Sequence, residues 1–259
     1  MGGEILGKQI IKGYLVMNRA SKIFVNGTWW DSTHIAVPED YMNHFDFIDL
    51  GAKTGKMRKY AQNNFKGVNG LHIDIEEDYI NQMEEQNIPC IQADITNLSF
   101  PENSVDFVIS THTIEHLPDL DAVQGVIEMC VKAATEFVYL TWPSFDATQY
   151  LKDNNLTQFF STMDGHTCHA TQQNVHDILT KLNLNGVCSS WNQIFDSNHT
   201  CIVPLNSPVD TGPYTDDLEP KPYIKFTEPV YYENICLIKL NNSQQYYNAE
   251  RFIKGFCPW

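Results

Sequence analysis

Five apolar runs of strand length, each separated from the next by residues of helical or turn character, constrain this chain more than any other feature. They are "FDFIDL" (45–50), "GLHIDI" (70–75), "PCIQAD" (89–94), "VDFVIST" (105–111) and "EFVYLTW" (136–142). Several are almost continuously hydrophobic, the pattern of strands covered on both faces. The segments "GKMRKYAQNNF", "EEDYINQMEEQN" and "LDAVQGVIEMCVKAA" can supply the covering helices. The alternation predicts an α/β fold, a doubly wound and mostly parallel sheet with helices on both faces.

Later segments extend the same scheme. "QQNVHDILTKLN" (172–183) reads as a helix, and "GVCSSWNQIF" (186–195) and "VYYENICLIKL" (230–240) read as late strands. Between those strands, the Pro- and Asp-rich stretch 204–223 reads as a surface loop or lid. Near the start, Asn26-Gly27 stands between apolar runs, as in a tight hairpin or in a loop that packs Trp29 and Trp30. The expected organisation is a single domain: an extension over 1–40 that covers the ligand site, a core over 41–200, and an insertion with a closing strand over 201–259.

Composition narrows the function classes. With 42% hydrophobic and 12% aromatic residues, the chain can bury a sizeable core. Lys and Arg number 17 against 32 Asp and Glu, a net charge of −15 without a basic stripe, which argues against nucleic-acid partners. No run approaches the roughly 18 apolar residues of a membrane span, and the first residues lack a signal-peptide pattern. The expectation is a soluble cytoplasmic protein without a membrane partner. Seven scattered cysteines with no CxxC pair fit reduced, packed thiols.

The first predicted strand runs into "DLGAKTGK" (49–56), where an open α/β sheet holds its ligand. A phosphate loop needs GxxxxGK[ST], and here Gly51 to Gly55-Lys56 is one residue short, with Met57 following. A dinucleotide loop needs GxGxxG, and Lys53 and Lys56 occupy its second and third glycine positions. The stretch instead resembles the first motif of the class I S-adenosylmethionine-dependent methyltransferases, acidic-x-Gly-x-Gly-x-Gly. Asp49, Gly51 and Gly55 match it, and Lys53 replaces the middle glycine. "ADITNLSFPENSVDFVISTHTIEHLPD" (93–119) resembles the third and fourth strands of that family, and of its ubiquinone-pathway-like branch.

The resemblance implies a Rossmann-like sheet of seven strands and S-adenosylmethionine as cofactor. It implies a cofactor site shaped by Asp49, Gly51, Lys53, Gly55, Asp74, Ile75, Asp94, Ile95 and Thr111. Asp74 would accept hydrogen bonds from the ribose hydroxyls, Asp94 would lie near the adenine amine, and Ile95 would pack on the ring. Taken singly, Asp74 and Asp94 also suit helix or turn caps. Lys53 either blocks the close approach that glycine permits or, with ordinary backbone angles, sends its ammonium to solvent or to the cofactor carboxylate.

Histidines supply the remaining candidates. "THTIEHLPD" puts His112, Glu115 and His116 on one face if a helix starts near Thr113. This resembles the ExxEH motif of metal-assisted O-methyltransferases, with His112 in place of the first Glu. His112, Glu115 and His116 are thus a possible divalent-metal set, with a fourth ligand available from His166 or His169. The expectation favours hydrogen bonding around the pocket over a metal. His112 or His116 would stand near the methyl group, His166 and His169 are candidate general bases, and His199 could face the acceptor. An Asn/Asp-Pro-Pro-Tyr amino-methylation motif is absent, and "STHT" follows the fourth strand. The expected activity is O-methylation of a small-molecule acceptor. The alternatives are a methyltransferase-like scaffold without catalysis and a metal-assisted RNA 2′-O-methyltransferase.

Overall fold

The computed structural model describes residues 34–243 throughout; outside them it describes the backbone of four short strands between residues 10 and 31, and residues 246, 249 and 250. Seven strands form the main sheet: β1 (Phe47–Leu50), β2 (Gly70–Asp74), β3 (Cys90–Gln92), β4 (Val105–Thr111), β5 (Ala134–Pro143), β6 (Asn185–Asp196) and β7 (Lys225–Lys239). Helices α1 (Met57–Phe65), α2 (Glu77–Glu85) and α3 (Leu120–Ala133) follow β1, β2 and β4, and α4 (Gln172–Lys181) precedes β6.

The spatial order is β3-β2-β1-β4-β5-β7-β6. β1 pairs in parallel with both β2 and β4, and β2 pairs in parallel with β3. Leu240 and Asn241 donate to Glu136 O, while Ser144 donates to Tyr232 O, so β7 runs against β5. The strand order reverses between β1 and β4, the switch point that in such sheets opens a crevice beyond the carboxyl ends.

The chain divides into two compact units. The first comprises 1–111, 125–139 and 239–252, and the second 112–124, 140–238 and 253–259. In the first, every residue of β1 and β2 is buried, the polar Asp49, His72 and Asp74 included. Phe107 stacks between Phe47 and Phe137 with centroids at 5.2 and 4.9 Å, and Phe65 meets Phe107 and Phe137 edge-on. A Cβ at Gly70 would lie 2.3 Å from the Phe47 ring, so β2 can begin beside β1 only with glycine there.

In the second unit, Asp146 ties several elements together. Its Oδ2 accepts from Asn234 Nδ2 on β7 at 2.7 Å and from Ser144 Oγ, and its Oδ1 accepts from Gln172 N at the start of α4. Thr171 Oγ1 accepts from Asn174 N, and Thr171 N donates in return to Asn174 Oδ1, which completes a capping box at the start of α4.

All five early strands and the late helix lie where the sequence pattern puts them. β7 begins five residues early because Val230 is its first buried residue, and hydrophobicity alone cannot register the exposed start. The stretch 204–223 carries no helix and, beyond Pro204, no strand. Two short pairings have no sequence signal: Leu156–Gln158 with Ile202–Pro204, and Ile35–Ala36 with Leu98–Ser99. The expected hairpin pairs Lys22–Val25 with Thr28–Asp31, and Val25 stands opposite Thr28. Its Asn26-Gly27 turn and the side chains of Trp29 and Trp30, like the acceptor-covering role expected for 1–40, lie outside the described residues.

Candidate active site

The loop after β1 owes its shape to three residues in the left-handed region: Gly51 (φ 68°), Lys53 (φ 50°) and Gly55 (φ 71°). Ala52 N donates to Ile73 O, which registers the loop on β2. Lys53 N donates to Asp74 Oδ2 at 2.7 Å, and Glu76 N donates to Asp74 Oδ1 at 2.9 Å. The Asp74 carboxylate therefore clamps the loop from the end of β2. At Gly55 a side chain would also press on Ile88, since a Cβ would stand 3.2 Å from its Cδ1.

Lys53 does not have the ordinary backbone angles that a solvent-pointing lysine would allow. It adopts the glycine-like conformation at a cost on the order of 1 kcal/mol. Its side chain is exposed, so the loop keeps the shape that a middle glycine would give it.

The other residues of the expected cofactor site behave differently from one another. Asp49 is fully buried and turned into the sheet, where its Oδ2 lies 2.9 Å from Nδ1 of His72, its register partner on β2. Burial pushes the Asp49 carboxyl above its ordinary value, and His72 pulls it partly back. Asp94 caps its own turn, accepting from Thr96 N, Thr96 Oγ1 and Asn97 Nδ2. Ile95 is buried, whereas Ile75, directly after Asp74, is 58% exposed. Thr111 is half-buried at the end of β4.

In the second unit the histidine run departs from the expected helix. Only Ile114–His116 form a single 3-10 turn, and His112 precedes it in the left-handed region with φ 52°. His112 N donates to Thr141 O. Its ring lies 2.7 Å from Glu233 Oε1 and 3.6 Å from Glu115 Oε1. Burial disfavours the charged ring, yet the two carboxylates outweigh it and hold the His112 pKa up at about 9. His112 is therefore an imidazolium at neutral pH. Glu233, its closer partner, is a residue that sequence reasoning missed, because a lone Glu in "VYYENIC" carries no motif.

Glu115, His116 and His166 converge instead, each offering one ligand-type atom within 4.8 Å of the others. His116 Nδ1 lies 2.8 Å from the Gly165 carbonyl, which can only accept, so Nδ1 carries a proton and turns Nε2 the other way. His116 Nε2 faces Glu115 Oε1 at 4.0 Å. Glu115 is 1% exposed, and neither of its carboxylate oxygens has a hydrogen-bond partner. Nδ1 of the buried His166 likewise has none. Burial lowers the His166 pKa and leaves that ring neutral.

Hydrogen bonds from Cys168 N to Glu115 O and from Thr167 Oγ1 to Leu117 O bring the two distant segments together. His169 stacks on Phe145 with centroids 4.2 Å apart, and burial lowers its pKa. An open pocket of about 510 Å³ runs between Pro118–Asp121 and Thr167–His169. His199 is exposed and turned into its own loop, where Nδ1 accepts from Cys201 N. The set offered by spacing was His112, Glu115 and His116. The structure turns His112 toward Glu233 and brings His166 to the other two.

Residues 48–138 match the family model of a methyltransferase domain. No curated protein matches the chain in sequence. Among solved structures, a SAM-dependent methyltransferase from Archaeoglobus fulgidus is similar at 14% identity and a TM-score of 0.52, over 77% of this chain and 90% of that one. A chain from the complex of a Haloferax volcanii methyltransferase activator with a methyltransferase is similar at 12% identity and a TM-score of 0.52, over 77% and 84%. At such identities the likeness speaks for the fold. No helix among the described residues is long and apolar enough to cross a membrane. The match over residues 48–138 and the likeness to these structures show that the chain carries the Rossmann-like α/β fold of the S-adenosylmethionine-dependent methyltransferases.

Proposed function

We propose that this protein transfers the methyl group of S-adenosylmethionine to an oxygen of a small-molecule acceptor. The observation that carries the donor half is the Asp74 clamp. A carboxylate at the end of β2 holds a loop with three left-handed residues, and each of its oxygens keeps a lone pair for a ribose hydroxyl. Asp74 and the backbone of the 51–55 loop would hold the cofactor, with the exposed Ile75 offering an apolar contact. The cofactor, when bound, supplies a methyl carbon already activated by its sulfonium. Asp49 acts as a buried support of the loop rather than as a ligand contact.

The acceptor half rests on the histidines of the second unit. His166 and His169 are kept neutral by burial, as a base that takes a proton from an acceptor hydroxyl must be. His116, whose Nδ1 is engaged by the Gly165 carbonyl and whose Nε2 is left for the acceptor, is a third candidate. His112, held charged by Glu233 and Glu115, is a fixed cation rather than a base. The 510 Å³ pocket bordered by His169 gives a small acceptor room.

A second component has its own support. Glu115, His116 and His166 fit a divalent cation, because two carboxylate oxygens and a ring nitrogen that take no hydrogen bond are buried together. Such a cation, when bound, would lower the pKa of a coordinated hydroxyl.

Calorimetry with S-adenosylmethionine and S-adenosylhomocysteine, followed by transfer of labelled methyl to a panel of hydroxylated small molecules, tests the reading. Binding without transfer to any acceptor would favour a scaffold role. Metal analysis of untagged protein, with activity measured after chelation and after adding Mg, Mn or Zn, tests the cation. No metal and no response would remove it and leave the histidines as bases.

A further inference from the structure

Cys188 on β6 and Cys236 on β7 bring their sulfurs to 2.9 Å, with both thiols free. The next pair along the two strands is Ser190 Oγ donating to Asn234 Oδ1 at 2.7 Å. Rising numbers on β6 thus meet falling numbers on β7, and the two cysteines are direct cross-strand neighbours. Cys236 is fully buried and Cys188 half-buried, so a reagent from solvent meets Cys188 first. The other described cysteines, Cys90, Cys130, Cys168 and Cys201, are buried, and burial raises the pKa of each.

We propose that Cys188 and Cys236 form a reversible redox modification site, closed to a disulfide by exchange with a small-molecule disulfide such as oxidised glutathione. The Cys188 thiolate attacks one sulfur of the reagent and releases the first thiolate, leaving a mixed disulfide on Cys188. That thiolate takes the proton of Cys236, whose sulfur then attacks Cys188 Sγ and displaces the second thiolate, which takes up from solvent the proton that Cys188 released. In sum, two protein thiols and one disulfide give one protein disulfide and two small thiols. The order follows from burial: Cys188 is reachable, and Cys236, whose thiol is held well above its ordinary pKa, waits beside it.

The bond would fasten β6 to β7 three residues from Glu233, the partner of His112, and would enclose the 204–223 loop. It does not depend on the proposed methyl transfer.

The test uses the full chain, reduced, freed of reductant and treated with oxidised glutathione. Intact mass is expected to fall by about 2 Da and to return with dithiothreitol. A non-reduced tryptic digest should join peptide 182–225 to peptide 226–239. Peptide 182–225 also holds Cys201, so the link must vanish in Cys188→Ser and persist in Cys201→Ser. The oxidised chain should melt roughly 5 °C higher. An unchanged mass, a glutathione adduct that stays on Cys188, or a link that survives Cys188→Ser would each overturn the proposal.

Discussion

At Lys53 a single backbone angle answers what the sequence left open. The residue takes the left-handed conformation, its N–H donates to Asp74, and its side chain is exposed. Lys53→Gly keeps that donor and removes the strain, so affinity for S-adenosylhomocysteine by calorimetry should stay within about threefold of the parent. Lys53→Pro removes the N–H and forbids the angle, and should weaken binding by tenfold or more, about 1.4 kcal/mol. In the same unit, His72→Phe strips Asp49 of its buried partner. Chemical denaturation should report a loss of about 3–5 kcal/mol. The glycine loop was legible because its spacing is local, and Asp74 was legible from its distance along the chain. The Asp49–His72 pair was not, since it exists only in the register of two parallel strands. His166 joins Glu115 through contacts between segments far apart in sequence, which no local pattern encodes.

Among the elements, strands with nearly continuous apolar runs were legible as buried sheet, and their parallel pairing followed from the alternation with helices. Short pairings such as 156–158 with 202–204 escaped because three residues carry no period. The close contact of β2 with β1 gives a sharp expectation. Gly70→Ala puts a methyl into the Phe47 ring, which is stacked on Phe107, and should cost about 1–3 kcal/mol in denaturant titration. At the start of α4, Thr171→Ala removes one half of the capping box and should cost about 1 kcal/mol by the same measurement.

For the whole molecule, charge and ligand linkage set the expectations. A chain at −15 repels phosphate backbones, so filter binding should retain no RNA at micromolar protein, even at low salt. Retention would reopen the RNA-methylating alternative. Binding to the folded state alone adds about 2.7 kcal/mol at a hundred times Kd. For a chain of this size that is a melting shift of roughly 5–10 °C with S-adenosylhomocysteine. Absence of any shift at saturating concentrations would move the weight to the scaffold alternative.

The amide of Lys53 has one further use. Because its proton is held by the same carboxylate that would bind the ribose, its rate of exchange with deuterated solvent reports on the state of Asp74. That signal needs no acceptor, no turnover and no labelled cofactor, so occupancy of the loop can be followed independently of the acceptor.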